Sequence, residues 1–129
     1  MNDYLLDTCT FLWLTLKPEK LSATARDICE NPGNTLLLSA VSVWEIEVKY
    51  RLGKLTLKMD PPAFIRTYRP QHFIEALPFR EEEALHHGTL PFHHKDPFDR
   101  MLICQAIEHG FTLLTPDPKI TAYAALVVW

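Results

Sequence analysis

The sequence has few cysteines, and their spacing is not that of a disulfide framework or a metal site. Its three cysteines are Cys9, Cys29 and Cys104, with no CxxC pair among them. An odd number at long spacings argues against both disulfide pairing and structural zinc. We therefore expect reduced thiols, as in a cytosolic protein.

The sequence also lacks a long hydrophobic run. No stretch approaches the roughly 18 apolar residues that are needed to cross a bilayer. The apolar start, MNDYLLDTCTFLWLTLK, has no basic leader and no small-residue cleavage site, and Asp7 interrupts it. The sequence thus predicts neither a membrane span nor a targeting segment, and we expect a cytoplasmic protein.

A strong charge of one sign is missing as well. The net charge is −3, from 13 basic and 16 acidic residues. This mild acidity argues against a protein that coats nucleic acid by bulk positive charge, although an enzyme with one local basic groove remains compatible. A length of 129 residues and a hydrophobic fraction of 47% predict one globular domain over residues 1–129.

Short apolar runs alternate with helix-like segments along the chain. The predicted strands are residues 4–7, 35–40, 73–77, 111–115 and 126–129. The predicted helices are residues 10–16, 22–30, 42–52, 60–68, 80–87 and 97–109. This alternation is typical of an α/β fold with a mainly parallel sheet of four or five strands, covered on both faces. Ligands of such sheets bind beyond the carboxyl ends of the strands.

Four carboxylates stand near that predicted edge. Asp7 ends the first strand, Glu45 lies a few residues beyond the second, and Asp117 follows the fourth. Asp99 is in the first turn of the helix before the fourth strand. Two unit charges about 5 Å apart repel by roughly 3 kcal/mol at an effective dielectric of 20, and a hard divalent cation such as Mg²⁺ or Mn²⁺ would offset this repulsion.

Each acid also has a purely structural interpretation. Ser42 and Glu45 fit a capping box, and Asp96, just before a proline, fits the cap of the long helix. Asp7 could cap the first helix, and Asp117 could form a turn. Capping and metal binding can coexist, because a helix N-terminus favours an ionised carboxylate.

Histidines and basic residues give weaker signals. The histidine pairs at 86–87 and 93–94 occur without an HExxH motif, so we expect solvated histidines and no zinc site. The basic segment 49–58 predicts either an exposed helix face or an RNA-backbone groove. Arg100, directly after a candidate metal ligand, and Lys95 are predicted contacts for an RNA phosphate. A minor RNA-phosphate role for His93 or His94 also stays open.

Five segments together resemble a PIN-domain ribonuclease, and most closely the VapC-type toxins of type II toxin–antitoxin pairs. They are LLDTCTFLW, SAVSVWEIEVKYRLGKL, HHKDPFDRMLICQA, TPDPKI and the final VVW. The resemblance extends over the full length in the same order. It implies a three-layer α/β/α fold, Mg²⁺- or Mn²⁺-dependent hydrolysis of an RNA phosphodiester, a cognate protein antitoxin and a homodimer.

The resemblance also implies roles for individual residues. The catalytic acids would be Asp7, Glu45, Asp99 and Asp117, of which the first three would hold the metal. Asp96 matches a further acidic position, for which helix capping stays our main interpretation. Thr8 and Thr115 would support the site by positioning a ligand or a phosphate.

Two alternatives stay open at this point. A haloacid-dehalogenase-type phosphatase also places an aspartate after its first strand, but it requires a second one two residues later, where this sequence has Cys9. The other alternative is a catalytically inactive PIN-like binding module whose acidic residues serve only as helix caps.

Overall fold

A five-stranded parallel sheet forms the centre of the molecule. The computed structural model describes residues 2–123 and 125–129. Its strands are β1 (Asp3–Leu6), β2 (Thr35–Ser39), β3 (Ile74–Leu77), β4 (Thr112–Leu114) and β5 (Leu126–Val128). Their order across the sheet is β3-β2-β1-β4-β5, and every neighbouring pair is parallel. The predicted fold class is therefore confirmed.

Helices connect the strands and cover the sheet. They are α1 (Thr8–Leu16), α2 (Ala23–Glu30), α3 (Ala40–Arg51), α4 (Pro61–Gln71), α5 (Glu81–His86) and α6 (Pro97–His109). Short 3₁₀ helices, which the sequence analysis missed, span Pro18–Lys20, His87–Thr89 and Pro118–Ala122. Within the described ranges, no helix has the length and apolar character to cross a membrane.

Alternating strand residues supply the two cores. Leu5 lies beside Leu37 and Leu113 on one face of the sheet, where Leu102 and Ile103 of α6 pack against them. The residues one position further along the strands point to the other face. That second core contains Leu6, Leu38 and Leu114 from the strands, with Phe11, Ile46 and Phe64 from α1, α3 and α4. A strand with buried residues on both faces explains the continuous apolar runs in the sequence.

Several helix boundaries differ from the prediction by one to three residues. Helix α1 begins at Thr8, two residues before its predicted start, because Asp7 caps it. Helix α3 begins at Ala40, because Ser39 and not Ser42 accepts a hydrogen bond from a first-turn amide, that of Val41. The predicted capping box of Ser42 and Glu45 is therefore wrong. Helix α4 continues through Pro70 to Gln71, because a proline in the last turn interrupts little of the helical hydrogen bonding.

The order of the strands fixes where a ligand can bind. From β1 the chain adds β2 and β3 on one side, and β4 and β5 on the other. The connections thus leave β1 and β4 in opposite directions, which opens a crevice at their carboxyl ends. Asp7 follows β1 directly, and Asp117 follows β4.

Candidate active site

A cleft of about 340 Å³ opens at this crevice. Its lining contains the five acidic side chains that the sequence analysis singled out, namely Asp7, Glu45, Asp96, Asp99 and Asp117. They come from four places in the chain: the end of β1, α3, the start of α6 and the loop after β4. The fold therefore brings together all the acids that we predicted to converge.

Asp7 caps a helix and faces the cleft at the same time. Its Oδ1 accepts a hydrogen bond from the backbone N–H of Thr10 at 2.7 Å, which caps α1. Its Oδ2 accepts one from the Thr115 hydroxyl at 2.5 Å. Because each carboxylate oxygen has two acceptor positions, both oxygens keep capacity for a further ligand. Thr115 thus orients Asp7, and its supporting role in the site stays a prediction.

Glu45 is held by neighbours on α1 and α3. The Thr8 hydroxyl donates to Glu45 Oε1 at 2.6 Å and lies 2.9 Å from the Ser42 hydroxyl. The Lys49 ammonium pairs with Glu45 Oε2 one helical turn later. Glu45 and Ser42 are both buried, at 4% and 0% exposed. These contacts fix the rotamer of Glu45 toward the cleft.

Asp96 and Asp99 share the first turn of α6 but differ in their contacts. Asp96 Oδ1 accepts from the backbone N–H groups of Phe98 and Asp99, at 2.9 and 3.3 Å, so the predicted capping role is confirmed. Asp99 contacts the loop that precedes α6, where its Oδ2 lies 3.0 Å from His94 Nε2.

His94 is the site residue that the sequence analysis missed. We predicted a solvated side chain, but the imidazole is only 8% exposed. Its Nε2 contacts Asp117 Oδ2 at 2.9 Å as well as Asp99. Among the residues that the structure describes, His94, Asp99 and Asp117 form the group whose possible metal-ligand atoms all lie within 4.8 Å of one another. A histidine five residues before Asp99, within the motif that carried the resemblance, was the available signal.

The cleft carries an excess of negative charge, since five acids line it together with Lys49. Burial, and then the charges of Asp96, Asp7 and Glu45, raise the pKa of Asp99 to about 7. Burial also raises the pKa of Asp7, outweighing its hydrogen bonds from Thr10 and Thr115. Two carboxylates that resist ionisation, in a cleft with three further acids, are a donor set suited to a hard divalent cation, which would stabilise their charged forms. The residues present therefore fit Mg²⁺ or Mn²⁺.

Cys9 lines the same cleft without being a candidate nucleophile. Burial, together with the negative charge of Asp7, raises the pKa of its thiol to about 11. Because the thiolate is the nucleophilic form, this side chain stays protonated and unreactive near neutral pH.

The two predicted phosphate contacts have different outcomes. Arg100 is buried, and its guanidinium donates to the carbonyl groups of His87, Leu90 and Pro91 and to the Tyr123 hydroxyl. All three of its nitrogens have partners within the protein, the third being His87 Nε2. The prediction that Arg100 contacts RNA is therefore wrong. Lys95 is exposed, and its phosphate contact stays a prediction.

A model of a known protein family matches most of the chain. The PIN domain model matches residues 4–126. The chain belongs to the PIN-domain family. The resemblance that the five sequence segments indicated is thus confirmed. The haloacid-dehalogenase-type phosphatase is excluded.

Comparisons with individual proteins give further similarities. Ribonuclease VapC22 of Mycobacterium tuberculosis is 25% identical over 124 residues, which cover 95% of this chain and 93% of that protein. VapBC2 of Rickettsia felis, solved bound to a DNA fragment from its promoter, has a TM-score of 0.73 at 18% identity, covering 98% and 97% of the two chains. FitAcB of Neisseria gonorrhoeae has a TM-score of 0.68 at 19% identity, covering 98% and 96%. The two solved structures show that the fold is shared.

Proposed function

We propose that this PIN-domain protein is a Mg²⁺- or Mn²⁺-dependent endoribonuclease and the toxin of a type II toxin–antitoxin pair, acting in the cytoplasm. The observation that carries the proposal is the meeting of Asp7, Glu45, Asp99 and Asp117 in one cleft at the carboxyl ends of β1 and β4. The similarity to a ribonuclease over 95% of the chain supports RNA as the substrate.

Several polar residues at or beside the cleft have roles in this proposed reaction. Asp7, Glu45 and Asp99 would hold the metal, which would neutralise charge and activate water for attack on phosphorus. Thr115 keeps Asp7 in position, and Thr8 does the same for Glu45. Asp117 joins the group through His94.

A basic groove beside the cleft supports binding of a nucleic acid strand. We call it the lysine groove, and its charged residues are Lys17, Lys20 and Lys54. It shares the wall residues Leu12, Trp13 and Leu55 with the cleft. The Nζ of Lys20 lies 5.4 Å from the Trp13 ring centroid. Positive side chains and an aromatic face are the features with which proteins hold single-stranded RNA without reading its sequence.

Conservative amide substitutions test the catalytic proposal. We expect Asp99→Asn and Asp7→Asn to reduce RNA cleavage in Mn²⁺ by about 100-fold or more, because an amide cannot replace a charged metal ligand. Both variants should fold, because Asn caps helices about as well as Asp and so preserves the cap of α1 in Asp7→Asn, and because Asp96, not Asp99, caps α6. Asp27→Asn, which changes an exposed acid of α2, is the matched control and should cleave at the parent rate.

The same measurements test the inactive binding module. If the protein is no enzyme and its acids serve only as helix caps, the parent and both variants will give no cleavage above a protein-free blank. Equal cleavage, or cleavage that is insensitive to EDTA, would overturn the proposed metal-dependent mechanism.

A protein antitoxin and a homodimer are part of the same proposal. The support is that structural relatives were solved as VapBC complexes, one of them from Salmonella typhimurium with bound DNA. Expression should arrest growth, and co-expression of a small DNA-binding protein encoded beside this gene should restore it. Light scattering of the purified chain should give the mass of two copies. The mass of one copy would contradict the proposed homodimer.

A further inference from the structure

His94 joins two carboxylates that belong to different parts of the fold. Asp99 lies in the first turn of α6, and Asp117 lies in the loop after β4. The His94 Nε2 is 3.0 Å from Asp99 Oδ2 and 2.9 Å from Asp117 Oδ2. The ring nitrogen is therefore hydrogen-bonded to Asp117 and in close polar contact with Asp99. Its role depends on whether it carries a proton or a lone pair there.

The hydrogen bond at the other ring nitrogen, Nδ1, shows which nitrogen carries the proton. The backbone N–H of Asp96 donates to His94 Nδ1 at 3.2 Å. A nitrogen that accepts a hydrogen bond has its lone pair free, so the proton of the neutral ring is on Nε2. For Nε2 to bind a metal ion, the proton would have to move to Nδ1. The Nδ1–H and the Asp96 N–H would then point at each other, and the hydrogen bond would break.

We propose that His94 is a positioning residue that holds Asp99 and Asp117 together through its Nε2–H, and that it is not a metal ligand. The inference rests on the proposed function, since it assigns the two carboxylates to a metal-dependent site. The hydrogen-bonding arrangement itself is a property of the chain without metal.

The loop that carries His94 is fixed independently of the two carboxylates. The backbone N–H groups of His93 and His94 donate to the Tyr123 hydroxyl at 2.8 and 2.7 Å. Arg100 donates to the carbonyls of Leu90 and Pro91 in the same loop, at 3.2 and 3.0 Å. These bonds place the imidazole by its backbone. Residues that orient metal ligands in this way typically change metal affinity 10- to 100-fold when they are replaced.

Two amides of different reach separate positioning from ligation. The side-chain nitrogen of Gln in His94→Gln reaches the place of Nε2 and can donate to both carboxylates. The amide of His94→Asn reaches only the place of Nδ1, so it can pair with the Asp96 N–H but cannot bridge the acids. Both variants are neutral and polar, and thermal unfolding without metal checks that each one folds.

Binding of Mn²⁺ is the first measurement, made by electron paramagnetic resonance of the free ion without RNA. We expect His94→Asn to weaken Mn²⁺ binding about tenfold or more and His94→Gln to stay within about threefold of the parent. Equal weakening in both variants would identify His94 as a ligand and overturn the inference. Unchanged binding in both would overturn it as well.

Nitrogen NMR of the metal-free protein is the second measurement, and it needs no catalytic activity. In ¹⁵N-histidine-labelled protein at pH 8, we expect His94 to show an unprotonated Nδ1 and a protonated Nε2. The reverse pattern would overturn the inference. If the parent failed to bind Mn²⁺ while this pattern held, the proposed metal-dependent function would fail and the hydrogen-bond bridge would stand.

Discussion

Asp99 titrates differently in the folded and unfolded chain. In the unfolded chain the pKa of Asp99 is near its ordinary value of 3.8. In the folded protein, burial and the neighbouring carboxylates raise the pKa to about 7. Between these values the folded protein binds one proton that the unfolded chain has released. The contribution of Asp99 to stability is therefore complete below pH 3.8 and is lost as the pH rises through 7.

The first prediction concerns this pH dependence. From pH 4 to pH 7 the metal-free parent should lose stability through Asp99, at up to about 1.4 kcal/mol per pH unit for one proton. Asp99→Asn should show a flatter profile and unfold at higher urea concentration than the parent at pH 7. Urea unfolding at several pH values measures both. Saturating Mn²⁺ should stabilise the parent at pH 7 but should not stabilise Asp99→Asn. If the stability of the two proteins depended on pH in the same way, the raised pKa of Asp99 would be contradicted.

Single residues also show where sequence reasoning stopped. Asp7, Glu45 and Asp99 could be predicted, because their positions after strands and at helix starts follow from the order of elements. For Arg100 and His94 the expectations were reversed: the arginine predicted to meet RNA is buried, and the histidine expected in solvent reaches the acids. Local sequence does not show which side chain a loop turns inward, since that depends on distant partners such as Tyr123.

At the scale of elements, the start of α3 separates two serines with different roles. Ser39 caps the helix through Val41, while Ser42 lies inside it against the Thr8 hydroxyl. Both side chains are fully buried. The sequence predicted the helix and its approximate extent. A serine at either position satisfies the capping pattern, and Ser39 is the cap because β2 ends there and α3 begins at the next residue.

The second prediction follows from this division. Ser39→Ala should lower the free energy of unfolding by about 1 kcal/mol, through loss of the cap, with little change in the Mn²⁺ affinity. Ser42→Ala should instead weaken Mn²⁺ binding, because the Thr8 hydroxyl that orients Glu45 loses a neighbour. Urea unfolding and Mn²⁺ titration of both variants measure the difference. If Ser42→Ala lost more stability than Ser39→Ala and kept its Mn²⁺ affinity, the capping-box interpretation of Ser42 and Glu45 would be supported and this prediction contradicted.

For the whole molecule, a net charge of −3 hides a separation of charge. Five of the 16 acidic residues line the cleft, and Lys17, Lys20 and Lys54 lie in the adjoining lysine groove. Within residues 2–123 and 125–129, none of these three lysines forms an ion pair. Composition could exclude bulk attraction to RNA, but only the fold places these lysines, which follow α1 and α3 in the chain, next to the acids.

The third prediction tests whether RNA follows this groove. Asp99→Asn is used as the background so that binding is measured without cleavage, with a fluorescein-labelled 12-nucleotide poly-U strand as the probe. Replacing Lys17, Lys20 and Lys54 with Gln should weaken binding and reduce the steepness of its salt dependence by about 0.7 for each phosphate that a lysine no longer neutralises. Fluorescence anisotropy at several KCl concentrations measures the slope.

Lys58→Gln is the matched control, since it removes an exposed lysine of the segment 49–58 that lines neither the cleft nor the groove. It should leave the slope unchanged if the groove guides the strand. Equal effects from Lys58 and from the groove lysines would mean that RNA is attracted by the surface charge as a whole. The difference in slope, more than the affinity itself, therefore decides whether the cleft receives its substrate along one defined path.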